Sequence, residues 1–252
     1  YYVDYTNGDD QYNGTSYTTA WKHCPGDDNA TGWPDTITLK PGDRVIFRGG
    51  VEYRGEIRIK HDGSPGNPII YKGDGWGNDK AIINGADTFN PDWIRCSSEA
   101  DCFGNAQYEN IYYTDAPEAF DFFDGFYEDG DYLWFSQDPN PDERFNYDNI
   151  GYFYEIPLGR PFTLTTLTDS GYFTQSDPHY WDGSYLLVWH IPNVTTPQGI
   201  TGFDPLTYTI TFEEIGGGGI YDDRASYFSI LNHPALIDQP GEYAFDTSLN
   251  RI

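Results

Sequence analysis

A chain of 252 residues carries enough apolar material for a core that needs neither metal nor disulfide to hold it. Its 14 Lys and Arg against 40 Asp and Glu give a net charge of −26, which repels nucleic acid and anionic membrane surfaces, so neither is an expected partner. The same field disfavours polyuronate and sulfated substrates, which need cations beside them, and leaves neutral glycans as the better fit.

An aromatic share of 18 % sets the chain apart from acidic disordered tails and predicts a folded domain. It opens on Tyr1-Tyr2-Val3, a strand-like pattern with no Met before it, which predicts that a signal peptide was removed and that the protein is secreted. No apolar run approaches the roughly 20 residues of a membrane-spanning helix, so membrane insertion is not expected. Asp4, Asp9 and Asp10 lie close enough to contribute oxygen ligands to Ca²⁺, the one cofactor suggested, although their spacing follows no EF-hand and reads rather as that of turn residues. Sequons at Asn13, Asn29 and Asn193 are glycosylation acceptors in a secretory compartment. Between Ala20 and Thr36 the residues Gly26, Asp27, Asp28, Gly32 and Pro34 break any helix and predict a loop.

From Val45 onward short apolar runs start at 45, 57, 69 and 81, each closed by a polar residue or glycine. Two such runs make 24 residues, about one coil of a parallel β-solenoid, while a meander of hairpins gives strands at similar intervals. Cys96 and Cys102 enclose a loop short enough to close as a local disulfide, which leaves Cys24 as a buried thiol or the partner of a cysteine elsewhere. Zinc fits less well, since no CxxC or closely placed His pair accompanies the thiols.

Residues 87 to 219 lose this rhythm but hold β-rich pieces at Tyr132-Leu133-Trp134-Phe135, Tyr185 to Ile191 and Leu206 to Phe212. No nucleophile elbow, HExxH, EF-hand or dinucleotide fingerprint is present, so carboxylates and aromatics remain as the chemistry-bearing residues. Those are the residue types that glycoside hydrolysis uses. Glu214 continues the apolar face of Leu206, Tyr208, Ile210 and Phe212 if the strand extends that far, and is solvated if it stops at Phe212. Trp181 and Asp182 precede a strongly apolar strand, where a ring could stack on a sugar and a carboxylate bond a hydroxyl, or where a turn could pack its Trp. His190 shares a strand face with Leu186 and Val188 and reads as a hydrogen-bonded core histidine. Gly216 to Gly219 predict a flexible exit from this region rather than a phosphate-cradling loop, since no Lys-Ser or Lys-Thr follows them.

The opening Tyr2-Val3-Asp4, Asn7-Gly8-Asp9-Asp10 and Asn13-Gly14-Thr15-Ser16, followed by Leu39 to Val45, Arg48-Gly49-Gly50, Gly63 to Ile69 and Ile82-Ile83-Asn84-Gly85, resembles secreted right-handed parallel β-helix proteins of polysaccharide-degrading families. Tyr227 to His233 and Leu236 to Tyr243 resemble a later segment of the same families. The resemblance implies an all-β fold, the start of a right-handed parallel β-helix interrupted by an inserted β-rich subdomain. Residues 1–86 would form the cap and first coils, 87–219 the insertion, and 220–252 the return to the β-helix. The helix that usually caps the first coil is missing from the pattern here, so a loop or a partner must cover that end. The implied function is glycoside hydrolysis of a neutral polysaccharide, with catalytic residues on coils beyond residue 252; Glu214, Asp182 and Trp181 are the candidates within the chain. The alternative is a non-catalytic surface, filament or adhesion protein that binds glycans and assembles end to end or as a homo-oligomer. A lyase ranks third, because few cations are present to neutralise a uronate.

Overall fold

The computed structural model describes residues 1–118, 120, 124–141, 150–191, 194–216, 219–220 and 223–252. These residues are β-rich with one short α-helix, an all-β fold, and they divide into two compact units, Tyr1–Phe89 and Asn90–Ile252.

In the first unit the strands pair in parallel across long connections. β1 (Tyr2–Val3), β2 (Arg44–Phe47) and β4 (Ile70–Lys72) lie side by side, and β3 (Glu52–Arg54) pairs with β5 (Ile82–Asn84) on a second face. Alternation on β2 buries Val45 and Phe47 against Val3, Trp21, Cys24, Leu39 and Tyr53. Gly14, at φ 69°, backs onto the Trp21 ring, where any Cβ would collide.

The run at 45 pairs in parallel with the run at 69, Val45 lying beside Tyr71 rather than beside the residue that the 24-residue spacing predicts, and the run at 57 forms no strand. Ile57 makes only an isolated antiparallel bridge to Asp27, and Ile59 is 62 % exposed. Tyr53 takes the inner position instead: its hydroxyl donates to the Val3 carbonyl (2.8 Å) and accepts from the Arg48 N–H (2.9 Å). A half-apolar run lost to a Tyr that can satisfy two backbone groups while buried.

The loop expected between Ala20 and Thr36 also needs correcting, because α1 (Gly32–Thr36) forms within it. Pro34 sits in its first turn, where no intrahelical partner awaits an N–H, so the residue cited as a breaker is tolerated.

The second unit is built on antiparallel strands. Its seven-stranded sheet runs β11 (Gln137–Asp138), β17 (Ser226–Leu231), β14 (Tyr185–Ile191), β15 (Val194–Asp204), β16 (Thr209–Phe212) and β13 (Thr166–Thr168), with β12 (Tyr154–Ile156) also pairing with β17. Leu186 and Val188 from β14, Phe228 and Ile230 from β17 and Ile210 and Phe212 from β16 face one core, which Phe173 and Trp181 complete. On the opposite face Leu187 packs with Tyr152, Phe153, Trp189 and Tyr227. The segment from 220, expected to rejoin the solenoid, therefore sends its strand into an antiparallel sheet. Phe228 and Ile230 supply the apolar face that β14 needs beside it.

Shorter pairs surround this sheet: β6 (Ile94–Arg95) with β7 (Tyr112–Tyr113), β8 (Tyr127–Glu128) with β9 (Asp131–Tyr132), and β10 (Trp134–Phe135) in parallel with β18 (Glu242–Tyr243). Cys96 and Cys102 form the disulfide, buried with Ile111, while Cys24 is free and burial pushes its thiol up to about 12. Serine at both Cys96 and Cys102 is expected to lower stability by about 2 kcal/mol, the value for so short a closed loop. A urea midpoint unchanged from the parent protein would show that the bridge constrains nothing. Among the described residues no helix is long and apolar enough to cross a membrane.

Candidate functional site: an aromatic cleft

The residues singled out from the sequence go to different places. Trp181 is 2 % exposed, with Tyr172, Phe173, Tyr180 and His233 around its ring, so its faces are covered and it offers no platform to a sugar. Asp182 is exposed and accepts from His179 Nδ1 (2.9 Å) across a surface turn. The strand carrying Glu214 ends at Phe212; Glu214 is exposed and Ile215 turns inward in its place, its N–H donating to the Leu164 carbonyl.

The carboxylates suggested as Ca²⁺ ligands are otherwise engaged. Asp4 is buried and accepts from the N–H groups of Thr6 and Asn7 and from Arg48 Nη1 (2.7 Å). Asp10 is buried too, bonding the N–H groups of Lys22, His23 and Thr31 and the His23 ring (2.7 Å). Burial works against both ionised forms, and the donors outweigh it, so both carboxyls titrate below their ordinary value. Lone pairs held by a guanidinium, an imidazole and backbone donors do not fit a cation site, and Asp9 only caps its own turn at Gln11. No group of three candidate metal ligands forms among the described residues. Asn13 and Asn29 are exposed, as glycosylation requires, whereas Asn193 lies outside the described residues. His190 is a core residue as expected, but neither of its ring nitrogens has a hydrogen-bond partner, and burial lowers its pKa.

A concave site in the second unit lies elsewhere, at the β10 and β18 pair. Tyr132, Trp134, Phe135, Gln137, Pro141, Leu231 and Glu242 line a cleft of about 110 Å³. Trp134 stands directly across from Glu242 and Phe135 from Tyr243, a register fixed by the Trp134 N–H donating to the Gly241 carbonyl and the Ser136 N–H to the Tyr243 carbonyl, both at 2.8 Å. Beneath the pair, Tyr243, Phe245, Ala116 and Ile252 form a separate core with Phe120, Phe126, Leu133 and Phe135, which makes the floor rigid.

Buried polar residues tie this floor to the large sheet. Asn232 is 3 % exposed and adopts φ 61°; its Nδ2 donates to the carbonyls of Gly183 (2.9 Å) and Phe245 (3.0 Å), and its Oδ1 accepts from the Phe245 N–H (2.7 Å). Ser136 bonds both backbone groups of His233. Glu242 turns one carboxylate oxygen back onto the N–H groups of Asp238 (3.0 Å) and Gln239 (3.1 Å), fixing the turn that precedes β18.

Gln137 completes the lining. It is 5 % exposed, and its amide nitrogen has no hydrogen-bond partner. An orphaned buried donor costs about 1–3 kcal/mol, a cost that a water or ligand oxygen admitted beside it would recover. Aromatic rings, a carboxamide and a carboxylate line one cleft, residue types of the kind found at sites for polyhydroxylated ligands. The sequence singled out Tyr132 to Phe135 only as a β-rich piece. Tyr132 and Trp134 alternate onto one face, the local signal for a platform, but nothing local announces Glu242 as their neighbour.

No protein-family model matches the chain, and no curated protein matches it. A solved structure described as a glycoside hydrolase is similar to it with a TM-score of 0.55 at 12 % identity, over 99 % of this chain and 42 % of that one. At that identity the likeness shows the fold alone, and the chain spans less than half the length of that structure.

Proposed function

We propose that this is a secreted, carbohydrate-active protein that holds a neutral polysaccharide in the aromatic cleft, and that its first unit opens a right-handed parallel β-helix. The observation that carries the reading is the unpartnered Gln137 amide among Tyr132, Trp134, Phe135 and Glu242. The net charge of −26 supports a neutral ligand, the disulfide suits an oxidising compartment, and the parallel rungs β1, β2 and β4 with β3 and β5 suit a solenoid. The name of the solved neighbour supports a glycan as the ligand. Hydrolysis requires two carboxylates about 5 to 10 Å apart, and Glu242 is the carboxylate among the described lining residues, so the cleft is read as a binding site.

A second reading, a non-catalytic adhesion or surface protein, is favoured by Ile82 and Ile83 on the edge strand β5, which are 58 % and 49 % exposed. Affinity electrophoresis through gels containing neutral β-glucan, xylan or mannan should retard the protein, while pectate and alginate should not. Trp134→Ala should weaken the retardation roughly tenfold or more, the loss of one stacked ring with its area. Release of reducing ends from the retarding polysaccharide selects the enzyme; retardation without release selects the adhesion protein. Equal migration in every gel would sink the proposal.

A further inference from the structure

Charge is divided unevenly between the two units. Tyr1–Phe89 holds 9 Lys and Arg against 13 Asp and Glu, a net charge of −4, whereas Asn90–Ile252 holds 5 Arg and no Lys against 27 Asp and Glu, a net charge of −22. In the first unit cations meet carboxylates: Arg48 pairs with Asp4 (2.7 Å), Arg54 with Glu52 (3.0 Å), and Arg58 with Glu56 (3.0 Å) and Asp28 (3.2 Å). In the second, Arg160 pairs with Asp169, but 5 arginines cannot neutralise 27 carboxylates. Turn capping accounts for Asp101, Asp169 and Asp204, whose oxygens accept N–H groups of their own turns. It does not account for Glu128, which stands directly opposite Asp131 across the β8 and β9 hairpin, all three of Glu128, Asp129 and Asp131 being exposed. Like charges facing each other across a strand pair oppose its formation.

We infer that the second unit is a salt-dependent fold: dissolved cations screen its carboxylates from one another, and its stability rises with ionic strength while that of the first unit hardly changes. Unfolding lets like charges move apart, so their repulsion counts against the folded state, and a unit with a net charge of −22 bears far more of it than one with −4. At about 0.01 M salt the screening length is ~30 Å and carboxylates repel across a whole unit; at about 1 M it is ~3 Å and that long-range repulsion is gone. The lysines that could neutralise such a surface all lie in the first unit, at Lys22, Lys40, Lys60, Lys72 and Lys80. Screening follows ionic strength and not the identity of the monovalent cation, which distinguishes it from an ion held in a site.

Hydrogen exchange read by mass spectrometry on the whole chain, from about 0.02 to about 1 M NaCl at neutral pH, follows both units at once. Opening of β14, β16 and β17 should become roughly tenfold rarer across that range, what the screening of a few like-charge contacts supplies, and opening of β2 should change less than about twofold. KCl should match NaCl at equal ionic strength, whereas sucrose, which stabilises by exclusion and screens nothing, should protect both units alike. Asp131→Lys puts a cation opposite Glu128, so it should raise the urea midpoint at low salt, with a gain that shrinks as salt is added; Asp131→Asn, which removes one charge and adds none, should give a smaller gain. An equal salt response in the two units, no response in either, or a response to one cation alone would overturn the inference.

Discussion

Replacing Asn232 with alanine should cost about 4 kcal/mol of unfolding free energy, a large part of the 5–15 kcal/mol that a domain usually has. Three buried backbone groups depend on this side chain: the carbonyls of Gly183 and Phe245 and the Phe245 N–H. Alanine satisfies none of them, and at φ 61° it also accepts a left-handed conformation that Asn tolerates better. Asn232→Gly should recover about 1 kcal/mol of the loss by relieving the backbone alone. Asn232→Asp should be no better than alanine, since a carboxylate then faces two carbonyls that need donors. Urea denaturation of the three variants separates the terms. A loss below about 1 kcal/mol for Asn232→Ala would mean that water replaces the side chain. Because Asn232 also anchors β18 through Phe245, its variants should lose glycan retardation under conditions where they remain folded.

Local patterns carried much of the fold. The alternation Leu186, Val188, His190 marks the core face of β14, and the runs at 45 and 69 mark two strands that pair, because each signal needs only residues within one short stretch of chain. Cys96 and Cys102 were legible for the same reason: they are six residues apart. Features that depend on distant partners were not. The run at 57 looks like its neighbours, and only the two hydrogen bonds of Tyr53 to Val3 and Arg48 show why another segment takes its place. Pro34 breaks a helix interior but not a first turn, and sequence alone does not say where the turn begins. The apolar face of β17 is equally good for a solenoid rung and for an antiparallel partner of β14.

The cleft shows the same division. Trp181 drew attention because a turn surrounds it, yet one of the four residues packed at its ring, His233, lies 52 positions later in the chain. Trp134 looked like an ordinary strand residue, yet the parallel pairing with Glu242 makes it part of a site. In a fold whose contacts are mostly long-range, the turn chemistry of a Trp says less about exposure than the segment that later covers it.

Acid should destabilise the protein in two separate stages, and the first belongs to His233. This side chain is 1 % exposed, its Nε2 donates to the Tyr180 carbonyl (2.6 Å) and its Nδ1 accepts from the Ala235 N–H (3.1 Å), a pairing that needs the neutral ring. Burial lowers its pKa to about 4; the Tyr180 carbonyl and the charge of Asp246 pull the other way and are outweighed. Above the unfolded value of 6.5 neither state binds the proton, and this group contributes no pH dependence. As pH falls from 6.5 toward 4 the unfolded chain takes up a proton that the folded protein refuses, so stability declines by about 3 kcal/mol at this one residue. His190, also lowered by burial and with neither ring nitrogen bonded, adds to the same decline. The second stage lies below the ordinary carboxyl value of 3.8, where Asp4 and Asp10 must be protonated and surrender the bonds to Arg48 and His23. Urea midpoints measured from pH 7.5 down to 3 should therefore fall first between 6.5 and 4, in a range where free carboxylates explain little. His233→Gln should flatten most of that first decline, at some cost in stability at pH 7.5, and leave the second untouched. An identical slope in the variant and the parent protein would place the acid sensitivity in the carboxylates instead.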